Sequence, residues 1–102
     1  MQEVTIKGIE NEALVVALSG DIDLGNAEEF YQAVMDGYQA QPMNILFDCA
    51  ELEFIDSTTL GTFVKILKKA KSDGYGIKLV NLQQKIKKLF LICSLDSIME
   101  IA

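Results

Sequence analysis

Few side chains in this sequence can do chemistry. Among 102 residues there is no histidine, arginine or tryptophan, and all nine basic residues are lysine. The nucleophile candidates are Ser57, Cys49 and Cys93. None has a histidine to activate it, which removes Ser-His and Cys-His pairs. Lysine is a possible base in principle, but no lysine sits in a motif that suggests it. The missing histidine also removes the commonest zinc ligand. Asp21, Asp23 and Asp56 fall at loop ends and could approach one another, yet a hard-cation cage needs about six oxygens in fixed geometry. They read better as solvated or capping residues, and no metal site is expected. Gly74-Tyr75-Gly76 precedes a strand and lacks the further glycine of a phosphate loop, so it reads as a turn. What remains is Phe54-Ile55-Asp56-Ser57-Thr58-Thr59-Leu60-Gly61. Here Asp56 or Ser57 is the N-cap of a helix, its side-chain oxygen accepting from the free amides of the first turn. A serine at such a position is exposed, sits at the positive end of the helix dipole and can carry a phosphate.

The elements that must position this serine follow from periodicity. Val4, Ile6 and Gly8 alternate with Glu3, Thr5 and Lys7, predicting a half-buried strand, and Ala13–Leu18 predicts its antiparallel partner across a turn at Glu10-Asn11-Glu12. An acidic, glycine-bearing loop follows from Ser19 to Gly25. A helix is predicted from Asn26, with Glu29 completing a variant capping box, and Ala27, Phe30, Tyr31, Val34 and Tyr38 turned inward. Met43–Cys49 predicts a third strand and residues 50–56 a loop. The second helix has a stripe of Leu60, Phe63, Val64, Leu67 and Ala70. Ile77–Leu82 predicts a fourth strand. A third helix is predicted to turn Ile86, Leu89, Phe90 and Cys93 inward and Lys85, Lys87 and Lys88 outward. Ile98–Ile101 is a short last strand. The order β-β-α-β-α-β-α-β predicts an α/β fold, with a mixed, mostly parallel sheet, an N-terminal hairpin and all helices on one face. One domain spanning residues 1–102 is expected.

Composition narrows the function classes. The net charge of −6 and the lack of arginine argue against direct nucleic-acid binding. The charge is uneven: residues 1–56 hold 12 acids and one lysine, while residues 57–102 hold 3 acids and 8 lysines. Such asymmetry can mark an interaction surface. The lysines of the second and third helices read as solvated outer faces. Cys49 and Cys93 both lie in apolar contexts and are expected to be buried free thiols in a reducing compartment. The N-terminus has no apolar signal core, and the longest apolar run, Ala13–Leu18, is far too short for a membrane span. A cytoplasmic protein without membrane insertion is expected.

Asp56-Ser57-Thr58-Thr59-Leu60-Gly61 resembles the D-S-[ST]-G-L-G signature of bacterial anti-sigma-factor antagonists, the STAS domain. Gly20-Asp21-Ile22-Asp23 resembles that family's G-[DE]-[LIV]-D after the second strand. Lys87-Lys88-Leu89-Phe90 through Cys93-Ser94-Leu95 resembles its basic-basic-L-F segment and the S/T-G-L that follows. The resemblance covers essentially the whole chain. It implies that Ser57 is phosphorylated by a partner anti-sigma factor, a serine kinase of the GHKL type. The unphosphorylated form would bind that partner and free a sigma factor, phosphorylation would release it, and a phosphatase would reset the switch. On this resemblance the protein is a substrate and a binding module with no catalytic residue and no cofactor; ATP and Mg²⁺ belong to the kinase. A monomer or weak dimer is expected. The implied partner-binding residues are Asp21, Asp23, Asp56, Ser57, Thr58, Thr59, Thr62 and Ile66. One position departs from the pattern: Thr59 stands where the family has glycine. It places a methyl and a hydroxyl where a partner would approach. On an ideal helical wheel Thr59, Thr62 and Ile66 lie near one another at the edge of the buried stripe, where Ile66 reads first as a core-edge residue and second, if partly exposed, as part of a docking patch. Thr58 and Thr59 are alternative phosphoacceptors. Thr59 also motivates a second reading, a non-switching STAS subunit of a transport or sensory-scaffold complex. An enzyme or phosphocarrier lacks any paired catalytic constellation.

Overall fold

The computed structural model describes residues 1–102. Strands β1 (Val4–Glu10) and β2 (Ala13–Ile22) form the antiparallel hairpin. Helix α1 (Ala27–Ala40), strand β3 (Asn44–Ile55), helix α2 (Ser57–Ser72), strand β4 (Ile77–Val80), helix α3 (Gln84–Ile92) and strand β5 (Glu100–Ile101) follow. A single 3-10 turn over Leu95–Ser97 links the last two. The sheet order is β1-β2-β3-β4-β5, and every pair after the hairpin is parallel. The result is the α/β fold expected, with sequential strands as sheet neighbours.

That order explains the single helical layer. Leu14, Val16 and Leu18 of β2, Ile45, Phe47 and Cys49 of β3, and Ile77 and Leu79 of β4 alternate along their strands and share one face. The inward residues of all three helices join them in one core of 25 buried residues, among them Phe30, Val34 and Tyr38 of α1, Phe63 and Leu67 of α2, and Ile86 and Phe90 of α3. Phe63 is the hub. Its ring meets those of Phe30, Phe47 and Phe90 edge-to-face at 5.2, 5.2 and 5.4 Å, tying three helices to the central strand.

Several boundaries differ from the sequence-based expectation. β2 runs on to Ile22 and β3 to Ile55, so Ser19–Ile22 and most of residues 50–56 are strand and not loop. The extensions pair with each other, Ser19 with Glu51, Gly20 with Leu52, Asp21 with Phe54 and Ile22 with Ile55. Register shifts lie between Ala17 and Ser19 and between Gly20 and Asp21. Bulges of this kind break the period of two, leaving Leu52 and Ile55 both inward, three residues apart. β4 stops at Val80 because Asn81 takes a left-handed conformation, φ 62°. Cys93 is exposed at the end of α3, and Leu89 is also partly exposed, so only Ile86 and Phe90 of that expected inward set are buried. The helix is too short for the stripe to continue over the core.

Candidate functional site

The parallel strands β2 and β3 end side by side, with Ile22 beside Ile55. The chain leaves each of them into a helix N-terminus. Asp56 lies between β3 and α2 in an extended conformation, and its Oδ1 accepts from the Thr59 backbone N–H at 3.0 Å. Asp56 is therefore the N-cap, and Ser57 is left as the exposed first residue of the helix. The other oxygen, Oδ2, accepts from the backbone N–H of Leu24 at 2.9 Å. One carboxylate thus caps α2 and pins the loop between β2 and α1. These amide donors, that of Thr59 foremost, hold the Asp56 carboxyl below the usual aspartate range against a smaller opposing effect of burial.

The loop is folded on itself. Asn26 has no side-chain cap bond to α1, so the expected capping box with Glu29 is absent. Instead its Oδ1 accepts from the Asp23 N–H at 2.8 Å and its Nδ2 donates to the Asp21 carbonyl at 3.0 Å. Asp23 Oδ1 accepts from the Gly25 N–H at 2.9 Å, and the Asp23 carbonyl accepts from the N–H groups of Asn26 and Ala27. Asp21 is exposed and pairs with Phe54, and Asp23 is half-buried next to the Leu24 amide that Asp56 holds.

Two of the expected partner-binding residues are corrected. Thr59 has no exposed surface. Its hydroxyl donates to the Ile22 carbonyl, and Thr59 Oγ1 also lies 3.1 Å from Asp56 Oδ1. The extra methyl and hydroxyl turn inward and join β2 to α2, so Thr59 is neither a surface contact nor an accessible phosphoacceptor. Ile66 is fully buried in the core as well. The buried face of α2 is wider than the sequence stripe and includes Thr59, Phe63, Ile66 and Ala70, because α2 packs against α1 as well as the sheet. Val64 is displaced to the edge. Thr58 is exposed, and its carbonyl accepts from the hydroxyl of half-buried Thr62 at 3.0 Å. Asp56, Ser57 and Thr58 thus stand at the start of α2, the loop carrying Asp21 and Asp23 is tied to them through the Leu24–Asp56 bond, and Thr59 and Ile66 lie in the interior.

The structure adds two residues to the surface. Leu24 is 75% exposed although its backbone is fixed on Asp56, and Phe54 is 49% exposed opposite Asp21. The signal for Leu24 was an apolar residue amid loop acids. Phe54 gives no such signal, because it lies in the bulged end of β3, where the strand alternation is broken.

The STAS domain family model matches residues 3–102. The anti-sigma-B factor antagonist of Bacillus subtilis (strain 168) is 30% identical over 99 residues, which are 97% of this chain and 89% of that protein. The chain belongs to the STAS domain family, and its relatives are anti-sigma factor antagonists. Two solved structures show the same fold. An anti-sigma factor antagonist from Mycobacterium paratuberculosis has a TM-score of 0.84 at 20% identity, covering 96% of this chain and 82% of that one. The Bacillus cell fate determinant SpoIIAA in its phosphorylated form has a TM-score of 0.74 at 20% identity, covering 97% and 90%. No helix of the chain is long and apolar enough to cross a membrane.

Proposed function

We propose that this chain is a phosphorylation-switched binding module of the anti-sigma-factor-antagonist type. The unphosphorylated form binds an anti-sigma factor that is itself a GHKL-type serine kinase, which frees a sigma factor in the cytoplasm. The kinase transfers the γ-phosphoryl group of its ATP to Ser57 Oγ: the bond to ADP breaks, the Oγ–P bond forms, and a base of the kinase takes the hydroxyl proton. The phosphorylated chain releases its partner until a phosphatase hydrolyses the ester. The chain performs no catalysis of its own.

One observation carries this reading. Ser57 is exposed while Asp56 takes the capping role, so the hydroxyl has no structural task and lies at a helix N-terminus that tolerates negative charge. The names of the relatives and the phosphorylated form of a Bacillus protein with this fold support it. A phosphate adds about −1.5 to −2 charge beside Asp56 and Asp23, and a kinase holding ATP over Ser57 meets that charge with its own nucleotide phosphates. The alternative of a non-switching subunit drew on Thr59, and with Thr59 buried no surface feature favours it.

The test incubates the purified chain with ATP and each GHKL-type kinase of the source genome, then maps phosphate by peptide mass spectrometry. One phosphate on Ser57, none on Ser57→Ala, and retained binding by Ser57→Ala but not by Ser57→Asp are expected. Phosphate on another residue sinks the assignment.

A further inference from the structure

The proposed switch needs a surface that supplies affinity, and the α2 face offers little, since Thr59 and Ile66 are buried. The exposed apolar residues beside Ser57 lie elsewhere. Leu24 stands out from a loop held by Asp56, so its exposure belongs to a fixed conformation. Phe54, three residues before Ser57, projects from the end of β3 and lines a shallow groove with Glu53, Ile55, Lys85, Ile86 and Leu89. Leu89 is itself 37% exposed, so the apolar wall of the groove reaches from Phe54 to α3. Acids adjoin both exposed residues: Asp21 pairs with Phe54, Glu53 lines the groove, Asp23 precedes Leu24 and Asp56 holds its amide, with Lys85 on the α3 side of the groove.

We infer that Leu24 and Phe54 are the apolar anchors of the partner interface, which extends from Ser57 toward α3 along the Phe54–Leu89 groove and not along α2. This rests on the switch proposed above. The occupant is a protein with an apolar pocket for each anchor and a basic rim. Anchors held in a fixed conformation lose little freedom on binding, which is how a few buried apolar side chains come to dominate an interface. The acidic border pairs with the partner's cations and sets its orientation. Ser57 directly follows Asp56, which holds the Leu24 amide, and comes three residues after Phe54, so a phosphate there adds charge next to both anchors.

Calorimetric titration of the kinase that phosphorylates Ser57, loaded with a non-hydrolysable ATP analogue so that no phosphate is transferred, tests the surface. Leu24→Ala and Phe54→Ala are each expected to weaken binding by about 30-fold or more, the loss typical of a hot-spot residue. Ile9→Ala, an exposed apolar residue on β1, serves as control and is expected to bind like wild type. Thermal melts establish that the variants are folded, and Leu24 and Phe54 are exposed enough that both should be. Affinities of both anchor variants within about threefold of wild type, with Ser57→Asp still losing binding, overturn the surface and leave the switch standing. Absence of wild-type binding to every kinase overturns the switch and the surface with it.

Discussion

Asp56 does three things at one position: it caps α2, anchors Leu24 and leaves Ser57 free. Its folded pKa is depressed, chiefly by the Thr59 amide, so the unfolded chain binds more protons than the folded one at mildly acid pH. The stability it contributes is complete at neutral pH. It is lost as pH falls below the usual aspartate value of about 3.9 and through the lower folded value. Asp73 adds the same dependence, because the Tyr38 hydroxyl donates to its Oδ2 at 2.7 Å. Asp56→Asn is expected to melt lower than wild type at pH 7 and to show a shallower acid limb, read by circular dichroism from pH 7 to 2.5. Thr59→Val keeps the shape but leaves the Ile22 carbonyl without its donor; a loss of about 1–3 kcal/mol in urea denaturation is expected. Burial and the neighbouring Asp48 push the Cys49 thiol up to about 12, while Cys93 is exposed. Iodoacetamide on the native protein at pH 8 is therefore expected to label Cys93 alone, with Cys49 labelled only after denaturation.

At the scale of elements, α2 carries the most. Its N-terminus holds the site, and one turn further in Phe63 joins three other aromatic rings. Phe63→Ala is expected to cost about 3–5 kcal/mol by urea denaturation, since a cavity at this junction loosens every helix from the sheet. Helix α1 contains Gly37 in its interior. A methyl there would lie 3.2 Å from Ile6 Cδ1, the tip of an exposed and movable side chain. Gly37→Ala is expected to raise stability by about 0.5 kcal/mol, most of the helix-propensity difference surviving that shift. The number and order of elements were legible because each has a clear apolar period. The ends of β2 and β3 were not, because bulges interrupt the alternation where these strands cross into the site. The inward set of α2 was rotated for a related reason: a helix packed on the sheet and on another helix buries more than the one stripe a sequence reveals.

For the molecule as a whole, the acids around Ser57 and the lysines of α2 and α3 keep the charge asymmetry of the sequence, but not as two opposed faces. Lys65 lies over the Tyr31 ring at 4.1 Å, Lys69 pairs with Asp73 at 3.3 Å and Lys78 with Glu100 at 2.9 Å. The remaining lysines of α2 and α3 lie mostly in solvent. Ser57→Asp is expected to leave the melting temperature within a few degrees of wild type, since the exposed first position of a helix accepts an acid. The effect of a charge at Ser57 would then be felt by a partner and not by the fold. The sequence by itself determined the order of strands and helices and the Asp56-Ser57 motif, because periodicity and capping are local properties of the chain. Only the tertiary structure decided which oxygen caps which amide, that Thr59 and Ile66 face inward, and that Leu24 and Phe54 stand exposed beside Ser57. Those facts depend on the pairing of the ends of β2 and β3, a contact between residues about thirty positions apart that no local pattern encodes.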